Sequence, residues 1–66
     1  MIELSEHMLD REYCILLKNG FKVSGKCVSY IPAKDNEPEI DSVWIENREG
    51  QIAELFITDI DNISRI

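Results

Sequence analysis

The sequence is poor in the residues that hold metals, build disulfide frameworks or cross membranes. It has two cysteines and one histidine, too few for a four-ligand zinc site, and the cysteines form no CxxC pair. No apolar run approaches the roughly 20 residues that a membrane-spanning helix needs. The opening MIELSEHMLD lacks the basic-then-apolar order of a secretory signal. These absences point to a cytoplasmic protein with no cofactor and no metal. Basic residues are scarce too, 7 against 13 acids for a net charge of −6. Nucleic-acid-binding domains gain affinity by neutralising phosphates with Lys and Arg, so direct nucleic-acid binding is disfavoured and a basic protein partner is favoured. The same acidity also serves solubility alone.

What is present fits one small domain over residues 1–66. A chain of this size buries only about 60% of its unfolded surface, and such domains often rely on a partner or on self-association. Near the N-terminus, Ser5 is placed to cap a short helix, with Glu6 in its first turn and Leu4 and Leu9 as a hydrophobic staple. That helix reaches about Glu12, where the period changes.

From Tyr13 the apolar residues alternate: Tyr13, Ile15 and Leu17 share one face, and Phe21, Val23 and Cys27 follow after Asn19-Gly20. The turn length follows from parity. A two-residue loop at Asn19-Gly20 pairs Leu17 with Lys22 and mixes the faces. A three-residue loop, Lys18-Asn19-Gly20 with Gly20 left-handed, pairs Leu17 with Phe21, Ile15 with Val23 and Tyr13 with Gly25. Gly25 then marks a mid-strand bend. Cys14 and Cys27 lie on opposite faces, which excludes a bridge between them and makes Cys27 a core thiol. Ser42 to Glu46 reads as a third strand, Asn47-Arg48-Glu49-Gly50 as a turn, and Gln51 to Ile57 as a fourth strand with Ala53, Leu55 and Ile57 on one face. Thr58 to Asp61 reads as a single helical turn and Asn62 to Ile66 as a closing strand. The expected fold is mainly β, a small five-stranded SH3-like or Sm-like barrel with a short N-terminal helix.

The run Leu16-Leu17-Lys18-Asn19-Gly20-Phe21-Lys22-Val23-Ser24-Gly25-Lys26-Cys27 resembles the first motif of Sm-like proteins. Their second motif, with its Arg-Gly pair, has no counterpart here. In charge and size the chain resembles the Rof-like family, small acidic Sm-like barrels that inhibit the termination factor Rho by covering its RNA-binding site. The similarity spans roughly Ile15 to Ile66, through the strand-Asn-Gly-strand-Gly opening, the acidic Glu37-Pro38-Glu39-Ile40, and Leu55-Phe56-Ile57-Thr58-Asp59-Ile60. It implies a transcription regulator acting by protein–protein contact. A phage-encoded anti-defence inhibitor fits the same physical description.

The candidate site is AKDNEPEID, residues 33–41, with Asp35, Glu37, Glu39 and Asp41 at alternate positions. In extended backbone, residues two apart lie about 6.6 Å apart on one side, close to the phosphate spacing along a nucleic-acid strand. Such a row would imitate a phosphate backbone toward a basic partner, with Tyr30 beside it. The competing reading is a solvated loop whose acids and Pro38 guard against edge-strand aggregation. Parity sets a condition. Either the stretch loses its regularity before Ser42, or Ile40 and Trp44 face inward in place of Val43 and Ile45.

Other residues carry weaker chemistry. Lys22 and Lys26 on the outer face of the second strand, with Lys18 at its turn, form the alternative site, that of an RNA-binding Sm-like module. His7 has no nucleophile or orienting partner at a readable spacing. Asp59 and Asp61 lack the glycine-centred spacing of a calcium loop and read as cap and solvated positions. Trp44 fits either the core or a contact patch. No catalytic constellation emerges, so the expected function is non-catalytic.

Overall fold

A computed structural model describes residues 2–66. Five strands follow one another in the chain: β1 (Glu12–Leu17), β2 (Lys22–Ile31), β3 (Ser42–Glu46), β4 (Ile52–Phe56) and β5 (Ile60–Arg65). They form one antiparallel sheet in the order β4-β3-β2-β1-β5. Three single 3-10 turns join or precede them, at Glu6–Met8, Ala33–Asp35 and Ile57–Asp59, and no α-helix occurs among the described residues.

The β1–β2 hairpin has the register that parity requires, with Tyr13 opposite Gly25 and Ile15 opposite Val23. Leu17 N donates to Phe21 O at 2.8 Å, closing a three-residue loop, and Gly20 adopts φ +93°, a conformation that L side chains seldom accept. Gly25 is required for a different reason. A Cβ there would collide with the backbone carbonyl of Glu46, so the glycine is what lets β2 pass so close to the end of β3. Further along β2 the register shifts between Cys27 and Ser29, a bulge in the ladder with β3.

One face of the sheet forms the core. Ile15, Cys27, Val43, Ile45, Leu55 and Ile60 meet there, and Leu4 and Met8 pack onto them from the N-terminal segment. The Ile57–Asp59 turn carries the chain from β4 at one edge to β5 at the other. It passes the β1–β2 loop, where Lys18 N donates to Asp59 O at 2.9 Å. The sheet remains open: β4 and β5 are its edges, and no ladder joins them.

The structure corrects four local expectations. The closing turn is Ile57–Asp59 in place of Thr58–Asp61, and β5 begins at Ile60, two residues before the expected Asn62, because Ile60 is drawn into the core. The N-terminal helix is one 3-10 turn, because Asp10 N bonds to Cys27 O at 2.8 Å and Cys27 N to Arg11 O at 2.9 Å, drawing the backbone to β2. Ser5 does cap that turn, accepting from His7 N at 3.3 Å. Met8, not Leu9, joins Leu4 in the core, and Leu9 is exposed. Phe21 is 71% exposed: it precedes the first residue of β2, outside the covered part of the inner face.

Candidate functional site

The segment between β2 and β3 is not an extended row. Ala33–Asp35 make a 3-10 turn after Pro32, and residues 36–39 are a run of bends. The even spacing of four carboxylates that extended backbone would give is therefore absent. Of the two outcomes that parity allowed, the first holds: regularity stops before Ser42, and Val43 and Ile45 are the inward residues.

Hydrogen bonds close the loop on itself. Asp35 N donates to Pro32 O at 2.9 Å and Asn36 N to Ala33 O at 3.1 Å, forming the first turn. The Asn36 amide donates at 2.8 Å both to Ile40 O and to Ser42 Oγ. The Ser42 hydroxyl, fully buried, in turn donates a hydrogen bond to Glu54 Oε2 on β4 at 2.9 Å. A buried hydroxyl with both an incoming and an outgoing bond carries little desolvation penalty.

Asp41 has a role that its place in the row did not suggest. Its Oδ1 accepts from Ala33 N at 2.8 Å and its Oδ2 from the Tyr30 hydroxyl at 3.4 Å. Its backbone carbonyl accepts from Ile57 N at 2.9 Å, extending the β3–β4 ladder by one pair. Asp41 is half-buried and spent inside the protein, as is Tyr30. Both belong to the expected partner-binding set, and in the structure both hold the loop in place. Burial of the Tyr30 hydroxyl pushes its pKa above the ordinary value of 10.0, and the adjacent Asp41 carboxylate adds to the rise, through its charge and its hydrogen bond, with a smaller contribution from Glu6.

Asp35, Glu37 and Glu39 remain exposed, with Lys34 beside them. None of the three enters an ion pair or a side-chain hydrogen bond among the described residues, where the sole ion pair is Lys26 with Asp10 at 4.0 Å. The loop thus presents three unpaired carboxylates on a closed frame.

The lysines are arranged less favourably for a phosphate. Lys26 lies on the outer face between Glu12 of β1 and Glu46 of β3, its direct neighbours across the two ladders. Lys22 stands opposite Leu16, and Lys18 is in the exposed hairpin loop. At a 3.3 Å rise per residue, Lys22 and Lys26 are about 13 Å apart along β2. Trp44 faces outward, 38% exposed, between Ser29 and Glu54, because Val43 and Ile45 take the inner face. His7 is exposed, and its carbonyl accepts from Arg11 Nε at 3.1 Å. Asp59 and Asp61 are exposed near the closing turn. No group of three or more metal-ligating side chains occurs among the described residues.

Sequence reasoning missed Asn36, Ser42 and Glu54. The one available signal was Asn36 itself, since asparagine in a loop favours side-chain bonds to nearby backbone. Comparison of the chain with protein-family models, curated proteins and solved structures returned no match. The likeness to Rof-like and Sm-like proteins therefore stands on the quoted residues alone.

Proposed function

We propose that this protein is a non-catalytic regulator or inhibitor that presents the acidic loop to a basic, nucleic-acid-binding protein. The observation that carries this reading is the contrast within residues 33–41. One carboxylate, Asp41, is used to build the loop, while Asp35, Glu37 and Glu39 stay exposed and unpaired. Exposed carboxylates on a closed loop lose less freedom on binding than the same groups on a loose chain. With a net charge of −6 behind them, they favour fast, salt-sensitive association with a basic surface. The outward Trp44 lies directly opposite Glu54, on the strand that leads out of the loop, and supplies an aromatic anchor of the type enriched at binding hot spots.

The architecture is consistent with this reading. We read the open five-stranded antiparallel sheet, with β2 passing close to β3 at Gly25, as an unclosed relative of the SH3-like or Sm-like barrel expected from the sequence. Folds of this size serve many functions, and what distinguishes this one is its loop. The test is capture from lysate of the source cell on immobilised protein, with the D35N/E37Q/E39Q variant as a parallel bait. The reading predicts a nucleic-acid-binding protein retained by the wild type, released by salt, and retained poorly by the variant. Equal retention on both baits contradicts it.

A further inference from the structure

The β3–β4 ladder leaves one row of backbone groups without partners. Asn47 N donates to Gln51 O and Ile57 N to Asp41 O, both at 2.9 Å. With the unbroken register between them, these bonds fix the phase of the ladder: Ala53 and Leu55 bond to Ile45 and Val43. Ile52, Glu54 and Phe56 therefore aim their N–H and C=O groups away from β3, over the open edge of the sheet. Among the described residues nothing pairs with those groups.

The side chains of the same three residues lie on the outer face, opposite Glu46, Trp44 and Ser42. Ile52 is 54% exposed. Beside the edge lies a groove of about 480 Å³ lined by Leu17, Lys18, Asn19, Glu54, Leu55 and Asp59. Its carboxylates outnumber its one lysine. Glu54 at the centre of the edge also opposes symmetric self-pairing, because a second β4 laid antiparallel about that residue sets Glu54 against Glu54, and directly opposed like charges destabilise a ladder.

We propose that the β4 edge is a docking strand for an extended, basic segment of a partner protein. The segment adds to β4 as a further strand, with a lysine or arginine opposite Glu54 and apolar side chains opposite Ile52 and Phe56. Main-chain bonds to Ile52, Glu54 and Phe56 give affinity and the alternate side chains give selectivity. This surface is separate from Asp35, Glu37 and Glu39, and the inference stands if those three prove inert.

The probe is a capped synthetic heptapeptide with arginine at its centre, valine two positions to either side and threonine elsewhere. Amide hydrogen exchange is followed on the labelled full chain. Saturating peptide should raise protection at Ile52, Glu54 and Phe56 by about tenfold or more, and change Ala53 and Leu55 little because they are already bonded to β3. The same peptide with its edge-facing amides N-methylated should give no protection, and glutamate in place of its arginine should weaken the effect. The D35N/E37Q/E39Q variant should respond as the wild type does. Absent protection at the three amides, indifference to N-methylation, or loss of the response in the loop variant overturns the proposal. So does light scattering that shows the chain alone already paired through β4.

Discussion

Single residues set the shape of this protein where backbone approaches backbone. Gly25 is the clearest case, since any side chain there meets the Glu46 carbonyl, which is held in the β2–β3 ladder and has no flexible end to move. Gly25→Ala should destabilise the fold by at least the 1–3 kcal/mol typical of overpacking, about 4–8 °C in Tm per kcal/mol for a domain of this size, as read by thermal unfolding. The two thiols offer a second test. Cys27 is fully buried, and burial pushes its pKa above the ordinary 9.0, while Cys14 is half-buried on the other face. A thiol reagent should label Cys14 readily at neutral pH and reach Cys27 only on unfolding; equal rates would place Cys27 outside the core. Cys27 and Tyr30 both hold their protons more tightly in the folded protein than in the unfolded chain. Their contribution to stability is thus complete below the unfolded values of 9.0 and 10.0, and is lost as pH rises through the higher folded values. Unfolding midpoints should fall across that alkaline range, and Tyr30→Phe should flatten the fall.

At the scale of elements, the loop from Pro32 to Asp41 is held by polar side chains, its own Asn36 and Asp41 together with Tyr30, Ser42 and Glu54 of the flanking strands. Asn36→Ala removes the donor shared by Ile40 O and Ser42 Oγ. Leaving such groups short of a partner costs about 1–3 kcal/mol, and amide exchange across residues 36–40 should accelerate with it. Unchanged exchange there would mean that the loop is ordered by something else. The first hairpin and the third strand were legible in the sequence because period-two alternation and turn parity are local: the three-residue loop at Lys18-Asn19-Gly20 and the span Ser42–Glu46 follow directly. The loop was not legible for the opposite reason. Its order depends on Glu54 of β4 reaching Ser42 of β3, and on Asp41 turning back to Ala33 and Tyr30. Nothing in the alternating acids signals those approaches, and an evenly spaced row was the natural but mistaken geometry. Trp44 was ambiguous because Val43, Trp44 and Ile45 are all apolar, so the alternation vanishes where it was needed. Phe21 misled in the same way, since its parity was right but the sheet does not extend over it.

The whole molecule combines an open five-stranded sheet with a surplus of acid. The core is small, and among the described residues the edges at β4 and β5 have no strand partner and three carboxylates of the β2–β3 loop enter no ion pair or side-chain hydrogen bond. A protein whose charge served solubility alone would spread its acids without regard to any one loop, and neutralising a few would change nothing but its colloidal behaviour. The central claim is that Asp35, Glu37 and Glu39 act on a basic partner through charge. The measurement that tests it most directly is the D35N/E37Q/E39Q variant, read for thermal stability and for affinity and association rate with the captured partner at low and high salt. Stability should stay within about 0.5 kcal/mol of the wild type, as for exposed substitutions generally. Association should slow and lose most of its salt dependence. A variant that binds its partner with wild-type affinity and the same salt dependence would contradict the account.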